Sequence, residues 1–183
     1  MIDYEFLYII SIPIYLILLN VLRVKKIMLN KIMIYSLFYF YIISLLAVTL
    51  FPIPIKWLNE IWNYNKDTNN YIPFMSIIDI MSNKQLDITI KIKQIIWNIV
   101  LFIPMWFFVP LVWENKKYFK KTLLIVVLST IWIELTQLFI SFLIWFNYKI
   151  TDLDDILLNS LWGIIGYFLY RMFQWSVLNI FKK

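Results

Sequence analysis

TDLDDILLNSLWGIIGY, residues 151–167, sets three carboxylates at the mouth of a segment otherwise apolar enough to cross a membrane. On a helix, Asp152, Asp155 and Asn159 fall at i, i+3 and i+7 and share one face. Gly163 and Gly166 continue that stripe deeper, where the backbone of a neighbouring helix can approach closely. Ionisable and amide groups in lipid need partners. The stretch therefore predicts a membrane helix whose polar face is turned into a bundle.

The rest of the chain agrees. With 62% hydrophobic residues, a mean hydropathy of +0.76 and only two glycines, it cannot cover the surface of a water-soluble globule. Cysteine and histidine are both absent, which excludes disulfides, thiol nucleophiles, imidazole bases and ordinary zinc sites. Any chemistry rests on carboxylates, amides, hydroxyls, lysines and arginines. The expected fold is all-α, a polytopic membrane helix bundle forming one domain over residues 1–183.

Five stretches can span the ~30 Å hydrocarbon core at ~1.5 Å per residue: roughly 6–22, 32–51, 94–113, 122–146 and 156–175. Acidic Asp3 and Glu5 precede the first and no small-residue cleavage site follows it, so it is expected to stay as a helix. Most of the seventeen basic residues fall in three places: Arg23 to Lys31, Lys116 to Lys121, and the tail from Arg171 to Lys183. By the positive-inside rule these face the cytoplasm. The N-terminus is then outside and the C-terminus inside a plasma membrane, with most of the acidic residues on the outer side. The net charge of +6 reads as membrane topology, with no nucleic-acid footprint and no phosphate-binding glycine loop.

The outer connection, residues 52–93, is too long for mere linkage. Pro52 and Pro54 end the second span. Trp57, Trp62, Tyr64 and Tyr71 suit the headgroup zone. The apolar patch from Asn70 to Met81 is too short to cross and reads as an interfacial or re-entrant piece. Residues 86–92, LDITIKI, alternate like a strand. A strand edge cannot sit in lipid, so the alternation is either at the water surface or drawn into the following helix, which is the favoured reading.

Thr130, Glu134, Gln137 and Ser141 form a single helical stripe in the fourth span, and the third contributes Asn98 above Pro104 and Pro110. An ionised carboxylate at the depth of Glu134 is unfavourable by ~2.5–3.5 kcal/mol. It should be protonated, paired with a cation such as Lys149, or beside water. The plainer alternative is a neutral acid bonded to Asn98 or Asn159, with Gln137 and Asn98 as amide bridges between helices. For Asp152 the plain alternative is a helix N-cap, which leaves a third carboxylate calling for Lys149, a bound cation or a cationic ligand.

These residues fall in a pattern. Leu50-Phe51-Pro52, Asn70-Tyr71-Ile72-Pro73-Phe74, Asn98 to Phe102 with Pro104, and Ser129 with Ile133-Glu134 and Gln137 precede Lys149 with Asp152, Asp154, Asp155, Asn159, Gly163, Gly166 and Tyr167. In order and spacing this resembles the VanZ-like membrane proteins over residues 50–167. Lys149 stands where that family has arginine, keeping the charge but losing bidentate geometry. Trp106 and Trp162 stand where it has glycine or another small residue. The family is named for a factor associated with low-level resistance to the glycopeptide teicoplanin.

The resemblance implies a membrane protein of a Gram-positive-type cell envelope that alters how a lipoglycopeptide antibiotic or a lipid-linked wall precursor behaves at the outer leaflet. Membrane lipids or such a precursor are the expected partners. The expected polar pocket comprises Asn70, Asn98, Glu134, Gln137, Lys149, Asp152, Asp155 and Asn159. An alternative is an intramembrane enzyme acting on a phospholipid or polyprenyl-phosphate headgroup, with Glu134, Asp152 and Asp155 as catalytic candidates. Asp152 and Asp155 would then hold Mg²⁺; otherwise no cofactor is expected. A third is a small transporter component, for which five spans without repeat symmetry are a poor fit.

Overall fold

The computed structural model describes residues 1–54, 70–83, 87–113, 118–145, 147–149 and 152–181. They form six α-helices: α1 Tyr4–Val24, α2 Leu29–Leu50, α3 Met75–Ser82, α4 Ile88–Val112, α5 Tyr118–Leu143 and α6 Leu153–Phe181. Four contain stretches long and apolar enough to cross a membrane: Tyr4–Val24, Leu29–Leu50, Phe119–Leu143 and Leu153–Trp175. The remaining expected span, 94–113, is helical as part of α4, with Val100–Val112 as its apolar stretch. Large apolar side chains such as Ile17, Phe139 and Phe168 are mostly exposed, a surface that lipid tolerates and water does not.

The chain divides into two compact units, Met1–Thr68 with Leu135–Ile150, and Asn69–Glu134 with Thr151–Lys183. The division passes through α5.

In the first unit α1 and α2 pack as a hairpin. Its turn carries Lys26 in the left-handed region at φ 53°. Hydroxyl contacts run along the seam: Tyr15 to Ser36 Oγ at 2.9 Å, Tyr39 to the Ser11 carbonyl at 2.6 Å and Tyr8 to Ser44 Oγ at 3.4 Å. Partner numbers rise on one helix as they fall on the other, so the helices are antiparallel. Without a hydrophobic drive in lipid, such bonds and close packing hold helices together. Ile2 and Ile53 close the open end through two backbone bonds of 2.9 Å.

In the second unit α4 packs along α6, and α3 touches both. The glycines of α6 make the α4 contact possible. Trp106, wholly buried, lies over Gly163 and donates through Nε1 to the Asn159 carbonyl at 3.3 Å. A Cβ on Gly163 would lie 1.3 Å from that nitrogen, and one on Gly166 would lie 2.4 Å from the Ile103 carbonyl oxygen. Phe119 and Tyr167 complete an aromatic cluster around Trp106, with ring centroids 5.7 and 6.5 Å from it. The segment that reads as a strand is settled as helix from Ile88 onward. Asp87 caps α4 by accepting from the Thr89 N–H at 2.7 Å, and this bond holds its carboxyl below the ordinary value.

Candidate functional site

The acidic mouth is built at the first turn of α6. Asp152 precedes the helix, and its Oδ1 accepts from the Asp154 N–H at 2.9 Å, the geometry of an N-cap. The Asp152 N–H donates in turn to Glu134 Oε2 at 3.1 Å. Glu134, only 5% exposed, thus spends one of its oxygens on the backbone where the chain enters α6.

Asn70 joins the same point from the other side. Its Nδ2 donates to Asp152 Oδ1 at 3.2 Å and to Ser76 Oγ at 2.7 Å, its Oδ1 accepts from the Ile72 N–H at 3.1 Å, and its carbonyl accepts from the Leu153 N–H at 3.1 Å. Three groups of one amide residue make four hydrogen bonds, which explains why an asparagine suits this position: an aspartate would lack the donor and a serine the reach.

Asp154 gathers three backbone donors on its carboxylate. It is 1% exposed, and its carboxylate accepts from the Phe74 N–H, from the Ser76 N–H at 3.0 Å and from the Ile77 N–H at 3.4 Å. These are free N–H groups at the start of α3, whose own N-cap position, Phe74, offers no side-chain acceptor. Asp154 is therefore the N-cap of α3, supplied by another helix. Phe74 sits at φ 66°, ψ 3°, the third position of a type II turn that Pro73 opens and the Met75 N–H closes on the Ile72 carbonyl at 3.2 Å. Glycine normally takes that position; a side chain there costs about 1–2 kcal/mol. Hydrogen bonds to a charged acceptor contribute roughly 1.5–3 kcal/mol each, enough to hold the strained turn.

Of the expected site residues, Asn70, Glu134 and Asp152 therefore come together. Asp155 is half-buried on the same helix turn. Asn159 is buried one turn further in, and its Oδ1 has no hydrogen-bond partner among the described residues. The side chains of Asn98 and Trp162, and residues Trp57, Trp62 and Tyr64, lie outside the described residues. Among the described residues no three acidic side chains are grouped so as to hold a metal ion.

Gln137 and Lys149 belong to the first unit, where they meet the C-terminus of α2. Four residues after Val48 and Leu50 come Pro52 and Pro54, which have no N–H to return to those carbonyls. The Ile53 N–H that would serve Thr49 goes to Ile2 instead. Side chains take over. Lys149 Nζ donates to the Val48 carbonyl at 2.9 Å and also to that of Thr49, Gln137 Nε2 donates to Thr49 at 2.9 Å, and the Tyr148 hydroxyl donates to Leu50 at 3.3 Å. Burial pushes the Tyr148 hydroxyl up to about 12, so it remains a donor at physiological pH. A cation at the negative end of α2 is favourable as well.

Sequence reasoning passed over Asp154. The stripe Asp152, Asp155, Asn159 assumes that Asp152 lies inside the helix, but α6 begins at Leu153. The signal was the pair of motifs itself: Ile72-Pro73-Phe74 makes a turn whose following helix lacks a cap of its own.

Helices of this length and apolarity, joined by buried polar contacts, define a multi-pass α-helical membrane protein. The chain belongs to the VanZ/LLP1 family, whose profile matches residues 38–174, from within α2 to within α6. No curated protein and no solved structure matches it.

Proposed function

We propose that this protein modulates how a lipoglycopeptide antibiotic or a lipid-linked wall precursor behaves at the outer leaflet of a cell envelope, with the Asn70, Glu134, Asp152 and Asp154 cluster as its recognition site. The observation that carries this reading is the meeting of those four residues beside α3, whose start presents Tyr71, Ile72, Phe74 and Met75 as exposed apolar side chains. A polar group that donates hydrogen bonds would meet the carboxylates while an acyl or prenyl chain lies along α3. Carboxylates repel a bare phosphate, so the favoured ligand is rich in hydroxyl or ammonium donors.

The test is lipoglycopeptide susceptibility of cells carrying matched membrane amounts of Glu134→Gln, Asp152→Asn and Phe74→Ala. Under the binding reading each variant weakens the effect severalfold and none abolishes it alone. Complete loss in Glu134→Gln, with metal or pH dependence of the natural protein, would transfer the site to an enzyme.

The basic segments support an N-outside, C-inside orientation. A cysteine replacing Asn147 should then react with a membrane-impermeant maleimide on intact cells, while one replacing Lys120 should react only after permeabilisation. The reverse pattern places the acidic cluster at the inner leaflet.

A further inference from the structure

We infer that Asn159 Oδ1, one turn deeper in α6 than the acidic mouth, is the acceptor for a primary ammonium carried by the ligand. This rests on the reading of that mouth as the recognition site, and it says which kind of donor the ligand brings.

Asn159 is 5% exposed, yet no donor among the described residues reaches its Oδ1. Hydroxyls in the same spans turn back onto their own helices, Ser160 onto the Ile156 carbonyl at 2.7 Å and Thr130 onto that of Val126 at 3.0 Å. That escape is open to a donor. An amide oxygen lacks it, because helix carbonyls are acceptors too and the N–H groups inside a helix are already used. Trp106 Nε1 comes to the same residue but donates to its backbone carbonyl at 3.3 Å. A buried acceptor left unpaired is costly where water is scarce, so the Asn159 amide points to a donor from outside the chain.

The helix sets where that donor enters. Asn159 shares a face with Asp155 at i−4 and with Gly163 and Gly166 at i+4 and i+7. The glycines bring no side-chain donor from below. Side chains on a helix lean toward its N-terminus, so the amide covers the turn that carries Asp155 and faces the mouth. Asp155 is half-buried, and the face is reachable at that level. A ligand group arriving there meets a neutral oxygen set below the carboxylates of Asp152, Asp154 and Asp155. Such a place prefers a cation with N–H bonds to a neutral hydroxyl, since charge attraction adds to the hydrogen bond. A primary ammonium has three N–H donors, one for Asn159 and the others for the mouth. A quaternary ammonium has the charge and no donor.

Phosphatidylethanolamine and phosphatidylcholine with identical acyl chains separate charge from donor. Native mass spectrometry of the purified, delipidated protein titrated with each lipid is expected to show at least about tenfold tighter binding of the ethanolamine lipid, the worth of one hydrogen bond to a charged group. Asn159→Leu, similar in size and without the acceptor, should bind the two lipids alike and leave binding of the choline lipid unchanged. Its unfolding temperature without lipid should equal or exceed that of the natural protein, because an apolar group of similar shape replaces an unpaired acceptor. Equal binding of the two lipids by the natural protein overturns the proposal, and so does a preference that survives in Asn159→Leu. A lower unfolding temperature for that variant, as a trapped water on Oδ1 would give, overturns it as well. Asp152→Asn separates this inference from the reading beneath it. If it weakens both lipids alike while Asn159→Leu keeps the preference, the mouth stands and the ammonium subsite falls. If Asp152→Asn changes nothing while Asn159→Leu abolishes the preference, the subsite stands and the mouth falls.

Discussion

Gly163→Ala is expected to dismantle the α4 and α6 contact. The new Cβ would fall 1.3 Å from Trp106 Nε1, shorter than a covalent carbon–nitrogen bond, so the indole has to leave its site. Trp106 is wholly buried among Phe119 and Tyr167, and it also donates to the Asn159 carbonyl. Expelling it costs about what truncating a core tryptophan costs, roughly 3–5 kcal/mol, well above an ordinary overpacking penalty of about 1–3 kcal/mol. Thermal unfolding in detergent, followed by tryptophan fluorescence, measures this. The diagnostic arm is the double variant Trp106→Ala, Gly163→Ala. With the indole gone the added methyl has room, so the second substitution should be nearly free in that background. Additive losses would show that Gly163 serves something other than the indole.

Lys149→Met is expected to destabilise the first unit by about 1–3 kcal/mol. It leaves the Val48 carbonyl without its ammonium donor and removes one of two donors from Thr49, and each unpaired carbonyl costs roughly 1–3 kcal/mol away from water. Pro52 has no N–H with which the backbone could serve Val48 instead, and the Ile53 N–H is held by Ile2. Lys149→Arg should retain most of the stability, since a guanidinium offers more donors at similar reach. Protease resistance of the solubilised variants checks both. Equal resistance of the methionine and natural proteins would mean that the α2 terminus is served by water.

Much of this architecture is legible before any coordinates, because a membrane span writes its length into hydropathy and its polar face into spacing. The spans near 6–22, 32–51, 122–146 and 156–175 reappear as α1, α2, α5 and α6 with modest shifts at their ends. The glycine stripe of α6 is legible for a similar reason: a side chain of no size has meaning only where something comes close. The site is less legible. Asn70 lies 82 residues before Asp152, and no periodicity links a loop asparagine to a distant cap. Asp154 escapes because its partners are backbone N–H groups at the start of α3, about eighty residues earlier, which no helical spacing reveals. Lys149 reads naturally as a counter-ion to nearby carboxylates. Its bonds to Val48 and Thr49 follow from Pro52 and from an Ile53 N–H given to Ile2, about a hundred residues away, a debt of unpaired carbonyls that spacing does not reveal.

Under the proposed function, Asn70, Glu134, Asp152 and Asp154 act as one recognition site for a donor-rich amphiphile. Native mass spectrometry of the protein released directly from its own membranes tests it. The natural protein should retain a bound lipid or lipid-linked species that Asp152→Asn and Asn70→Ala each lose, while Lys120→Ala, far away in sequence at the start of α5, retains it. The same adducts at the same occupancy in all four proteins would contradict the account.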